Sequence, residues 1–151
     1  MSPTGHLAIG FIAKRFTPET PVFVLLIAAY ITDIVYFCFL IFGSDAADYS
    51  PWTHSLFMAF SWSVLTILIA YFITKKRRVS LVLGIIVFSH WILDFIVHSP
   101  DLPILFRNSP ELGLGLWTSG PGLILSLILE LVLLIGGIAI YLAARKKKET
   151  Q

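Results

Sequence analysis

At 151 residues, with 57% hydrophobic residues, 13% charged residues and a mean hydropathy of +0.86, the chain is too apolar for a water-soluble globule. A net charge of +2 is too small to point to nucleic acid, and where the charges fall matters more than their sum. The single cysteine, Cys38, excludes an internal disulfide and reads as a packing residue within a span.

The start, Met1-Ser2-Pro3-Thr4-Gly5-His6, lacks the basic flank of a secretory signal and is expected to belong to the mature protein. An apolar helical segment over about 5–16 follows, too short to cross a bilayer. Two prolines in Thr17-Pro18-Glu19-Thr20-Pro21 break the chain and start the next helix. The first span is expected over about 22–42 and carries one acid, Asp33. Asp45 and Asp48, in the polar loop from Gly43 to Pro51, read as solvated acids. The second span, about 52–74, has His54 near its start and is closed by Lys75-Lys76-Arg77-Arg78. The third, about 79–98, holds His90, Asp94 and His98 at successive i+4 steps, which stacks them on one helix face. A loop rich in proline and glycine runs to Pro121, with Trp117 as an interfacial anchor. The fourth span, about 122–144, carries Glu130 and ends in Arg145-Lys146-Lys147-Lys148. The pattern predicts one domain over 1–151: an all-α integral membrane protein with four transmembrane helices and a short N-terminal half-helix.

If the spans alternate, ten of the eleven Lys and Arg residues fall on one side, and only Arg107 lies opposite. The positive-inside rule makes the basic side cytoplasmic, with both termini there, in the inner (plasma) membrane. The basic clusters read as topology determinants rather than as a binding site.

At about 1.5 Å per residue, Asp33 and His90 lie roughly 16 Å along their spans, and Glu130 roughly 14 Å below the outer end of its own. Asp94 and His98 step outward from His90 by one turn each, and His54 is expected at the height of His98. A half-helix anchored by Lys14-Arg15 carries His6 roughly 12 Å into the membrane, toward the level of Asp33. The polar groups therefore describe a cavity that opens outward. A single histidine in a span is more often a hydrogen-bonding link to a neighbouring helix than a ligand. Four histidines and three acids at matched depth favour a shared site. Asp101, before Leu102-Pro103, reads equally as a turn or cap residue, and Gly136-Gly137 permits close helix contact.

Imidazole and carboxylate together are a ligand set for a divalent metal such as zinc. His90 and Asp94 form the deepest pair of candidate ligands, and a carboxylate left over, Glu130 or Asp33, suits a general base. The segments Gly5-His6, Thr32-Asp33-Ile34, Thr53-His54-Ser55-Leu56 and Gly113-Leu114-Gly115-Leu116-Trp117, the stretch from Ser89 to Pro103 and the acid Glu130 resemble a bacterial family of membrane-bound metal-dependent hydrolases. The 89–103 stretch is the specific part of the resemblance. The resemblance implies His6, Asp33, His54, His90, Asp94 and His98 as metal-site residues. Larger relatives carry a second acid where Val35 stands here, and an Arg-Gly stretch where this chain has Tyr49-Ser50-Pro51-Trp52. That departure implies one metal or a different ligand set.

These features predict a metal-dependent hydrolase acting from the outer side on a membrane lipid or a lipid-linked ester or phosphoester. A transporter or proton relay is the alternative, as is a scaffold whose polar groups only knit the helices together. The inner halves of the spans carry no ionisable residue to line a conducting path.

Overall fold

The computed structural model describes residues 3–42 and 46–149, so Asp45, and with it the side chain of Asp48, lies outside the described residues. Among the described residues six helices form, α1 (Pro3–Ala13), α2 (Val22–Phe42), α3 (Ala46–His54), α4 (Leu56–Thr74), α5 (Arg77–Val97) and α6 (Gly120–Glu149). Four of them, α2, α4, α5 and α6, are long and apolar enough to cross a membrane. The protein is an all-α, multi-pass membrane protein. α1 has 11 residues, roughly 16 Å of helix, and cannot span.

α5 is the helix the others wrap. Over half of its most apolar stretch is buried, 56%, against 22% or less in the other three spans. Two glycine contacts show how the neighbours close on one another. A Cβ at Gly84 would meet the Ile67 side chain and lie 3.1 Å from the Ser63 carbonyl of α4, and Ser63 Oγ donates to the Gly84 carbonyl at 2.8 Å. A Cβ at Gly137 would lie 2.8 Å from the Ala8 carbonyl, so α6 rests on α1 backbone to backbone, while one at Gly136 meets nothing. The outward faces of α2, α4 and α6 are covered by large apolar side chains such as Phe37, Ile73 and Leu131, as lipid-facing helices require. Cys38 shares that exposure and does not pack inside.

Several boundaries differ from the sequence expectation. The second span begins at Leu56 because Ser55 adopts extended backbone and its Oγ accepts the Met58 N–H, capping a new helix. Residues 46–54 thereby become a separate short helix ending on His54. α5 stops at Val97 and His98 is already extended, since Ser99 precedes Pro100 and is disfavoured in helical backbone. α6 continues past 144 through the basic cluster to Glu149.

The segment between α5 and α6 is partly ordered by backbone pairing. Strands β1 (Leu102–Pro103) and β2 (Glu111–Leu112) pair antiparallel, Leu102 opposite Leu112 and Pro103 opposite Glu111. Phe57 N–H donates to the Ile104 carbonyl at 3.0 Å, and the Phe106 ring packs on Trp52 at 4.8 Å and Phe57 at 5.9 Å. This clamps the hairpin onto the α3–α4 junction, at the end of the molecule opposite the basic clusters. Leu114 and Gly115 N–H then donate to the carbonyls of Phe95 and His98, satisfying the end of α5.

Candidate metal centre

His90 lies on the buried face of α5, 3% exposed. Its Nδ1–H donates to the Ala29 carbonyl of α2 at 2.8 Å, which fixes the ring and turns Nε2 toward two carboxylates. Nε2 lies 3.1 Å from Asp94 Oδ2, one turn along α5, and 3.3 Å from Asp33 Oδ1 of α2. Neither contact has hydrogen-bond geometry, and Nε2 is a buried nitrogen with no hydrogen-bond partner among the described residues.

His54 is held in a similar way. The Thr53 hydroxyl donates to the Ser50 carbonyl at 3.3 Å and accepts from His54 Nδ1 at 2.7 Å, leaving His54 Nε2 at 3.1 Å from Asp33 Oδ1. His54 was expected level with His98, but the break at Ser55 lets the end of α3 dip to Asp33. α1 brings His6 against the same cluster. Its ring stacks on His90 at 3.8 Å and 9°, and its Nε2 lies 3.4 Å from Asp94 Oδ1. His6 Nδ1 is also buried without a hydrogen-bond partner among the described residues.

Among the described residues, two sets of three side chains present ligand atoms within 4.8 Å of one another: His6, Asp33 and His90, and His54, His90 and Asp94. Both contain His90. Residues of α1, α2, α3 and α5 thus converge, with Asp33 between two imidazoles and Asp94 between His6 and His90.

His98 and Glu130 do not join this cluster. His98 has left the helix, remains 4.0 Å from Asp94, and pairs instead with Asp101 at 3.3 Å beneath the Trp117 ring. Trp117 is itself tied to α6 by its Nε1–H donating to Ser126 Oγ at 3.1 Å. Glu130, expected at the cavity floor, is 2% exposed and accepts a hydrogen bond from Thr4 Oγ1 at 2.9 Å. Because α6 packs on α1 rather than on α2, its carboxylate is spent on that interface and is not among the cavity-lining residues.

A cavity of about 1100 Å³ stands over the cluster, lined by His6, Asp33, His54, Asp94 and His98 and continuing to the hairpin. His90 forms no part of its wall and supports the lining carboxylates from behind. Asp33 is the more open carboxylate, its side chain 27% exposed against 5% for Asp94.

Sequence reasoning assigned no role to Ala29 or Thr53. Ala29 stands one turn before Asp33 on the same face, and a small residue there lets α5 approach its carbonyl. Thr53 directly precedes His54, in position to hold the ring nitrogen that faces away from Asp33. Comparison with protein-family models, with curated proteins and with solved structures finds no match to this chain.

Proposed function

We propose that the protein is a membrane-embedded, metal-dependent hydrolase that cleaves an ester or phosphoester bond in a lipid or lipid-linked substrate. The observation that carries this reading is the grouping of His54, His90 and Asp94, whose ligand atoms lie within 4.8 Å of one another, with His90 Nε2 3.1 Å from Asp94 Oδ2 and no hydrogen bond made between them. Buried lone pairs facing one another are costly unless a cation lies between them. The donor set fits zinc. Zinc bonds of about 2.0–2.1 Å put neighbouring ligand atoms of a tetrahedron roughly 3.3–3.4 Å apart, close to the 3.1 Å between His90 Nε2 and Asp94 Oδ2.

His54, His90 and Asp94 are the ligands in this reading, each imidazole oriented by the hydrogen bond its other nitrogen makes. A divalent ion bound there supplies Lewis acidity to water and to the scissile carbonyl or phosphoryl group. Asp33, the carboxylate open to the cavity, takes the proton of the attacking water and returns it to the departing alcohol oxygen. His6 positions Asp94 by its 3.4 Å contact. The basic clusters orient the chain with both termini in the cytoplasm and the cavity facing outward across the inner membrane. This assignment agrees with the hydrolase family that residues 89–103 resemble.

A proton relay needs a polar path from the cluster toward the basic end. The groove present there, among α2, α4 and α5, is lined mainly by apolar residues such as Val24, Ile31, Leu65 and Ile69, and Glu19 and Lys76 are its only charged lining residues among those described. The deciding experiment is elemental analysis of the purified protein handled without chelator. About one divalent ion per chain is expected in the wild type and none in His90→Ala/Asp94→Ala. A metal-free wild type sinks the reading.

A further inference from the structure

A second concavity lies at the basic end of the molecule. α2 and α4 both pack on or beside α5 and leave between them a groove of about 690 Å³. Its floor is α5, where Leu83 and Val87 are buried, and its walls carry Val24 and Ile31 of α2 and Leu65 and Ile69 of α4. No residue of the histidine–carboxylate cluster lines it. From Trp62 to Thr74 of α4 it runs roughly 18 Å, a little over half of a hydrocarbon core of about 30 Å. The groove therefore covers the depth of one leaflet, the one on the basic side.

Its width excludes a further helix. About 690 Å³ spread over roughly 18 Å leaves a mean cross-section of about 40 Å², whereas a helix about 10–12 Å across needs roughly 80–110 Å². Carbon atoms of an acyl chain pack about 4 Å from their neighbours, so acyl chains fit where a helix does not. One end of the groove is charged. Thr74, Lys76 and Val79 all line it, so the turn carrying Lys75-Lys76-Arg77-Arg78 crosses that end. Lys76 is held by Glu19 at 3.9 Å, in an exposed pair. Lys75 leans on the Phe72 ring, its Nζ 5.3 Å from the centroid. Arg77 and Arg78 are exposed and make no ion pair among the described residues. The turn thus sets four cations against the one acid that lines the groove.

We propose that this groove binds an anionic phospholipid of the leaflet on the basic side, its acyl chains lying between α2 and α4 and its phosphate held by Arg77 and Arg78. The proposal stands apart from the hydrolase reading, since it uses no residue of the metal centre. Guanidinium pairs phosphate through a planar fork of donors. Basic clusters just outside a span attract anionic headgroups in general. Here an apolar groove ends at the cluster, so head and tails of one molecule are placed together. A zwitterionic headgroup brings a cation of its own against the arginines and loses the net attraction. The other basic cluster, Arg145-Lys146-Lys147-Lys148, ends α6, and no α6 residue lines the groove. It supplies the same charge without the groove.

The test titrates the full-length protein, purified and delipidated in detergent, with phosphatidylglycerol, phosphatidylethanolamine and phosphatidylcholine of identical acyl chains, counting bound lipid by native mass spectrometry. Phosphatidylglycerol is expected to bind about tenfold more tightly than the other two. Arg77→Gln/Arg78→Gln brings it down to their level, while Lys147→Gln/Lys148→Gln leaves the preference in place. Thr66→Trp keeps every charge but fills the groove from its α4 wall, and is expected to lower phosphatidylglycerol binding by about tenfold. Ile69→Trp, at an exposed position of the same wall, is the second filling variant should the first not fold. Equal binding of the three lipids by the wild type overturns the proposal. So does a preference that both charge variants lose alike, or one that survives groove filling, since either marks attraction to surface charge alone. A lipid-free dimer that groove filling dissociates also overturns it, by giving the groove to a second copy. Metal content decides the hydrolase reading and enters none of these outcomes.

Discussion

His54 Nε2 and Asp33 Oδ1 meet at 3.1 Å across the seam between α3 and α2. The contact joins a helix of only nine residues at the far end of the molecule to the middle of a membrane span. It exists because Ser55 ends one helix and caps the next, freeing His54 from the axis of α4. Asp33 is thereby shared between His54 and His90, and with His6 the cluster draws on four helices, α1, α2, α3 and α5.

The two carboxylates are expected to separate by role. Asp94 is enclosed by His6 and His90, and Asp94→Asn loses the metal, measured by elemental analysis. Asp33 faces the cavity, and Asp33→Asn keeps the metal while hydrolysis of a lipid ester falls by about 10²–10⁴-fold. Equal metal loss in both variants makes Asp33 a ligand and removes it as the base.

Thr53 acts on the centre only through His54. Thr53→Ala leaves His54 Nδ1 without its 2.7 Å partner and is expected to weaken metal affinity by about 10–100-fold. Competition against a chromogenic chelator measures this, and Thr53→Ser restores the affinity because the hydroxyl returns. An effect on thermal stability with unchanged metal affinity would falsify the supporting role.

Gly137 and Gly136 are adjacent and should respond oppositely. Gly137→Ala forces a Cβ to within 2.8 Å of the Ala8 carbonyl, an overpacking cost of about 1–3 kcal/mol. Gly136→Ala meets open space and shifts stability by no more than about 0.5 kcal/mol. Thermal unfolding in detergent distinguishes them. Because α1 carries His6, the Gly137 variant should also retain less metal than the Gly136 variant.

Glu130 tests whether a buried membrane carboxylate is structural. Glu130→Gln still accepts from Thr4 Oγ1 and is expected to keep metal content and hydrolysis within a few-fold of wild type. Glu130→Leu leaves Thr4 without that acceptor and lowers the unfolding temperature. A drop of a hundredfold or more in Glu130→Gln hydrolysis, with metal intact, returns Glu130 to the reaction.

The sequence by itself determined the membrane architecture, since an apolar run long enough to span is a property of composition and length. It also determined the pairing of His90 with Asp94, because i+4 neighbours on a helix meet whatever surrounds them. Depth along a helix is only one coordinate, however. Which way a side chain turns about the axis, and which helix lies there to receive it, belongs to packing. Glu130 and Asp33 read as equals by depth, yet α6 packs on α1 and turns Glu130 to Thr4, while α2 packs on α5 and turns Asp33 to His90. His98 shares the spacing of His90 and Asp94 but not their fate, because the helix ends beneath it before Pro100. Arg107 lies outside every span, where depth along a helix says nothing of its place. Only the pairing of the hairpin, anchored through Phe106 on Trp52 and Phe57, carries it over the same cavity.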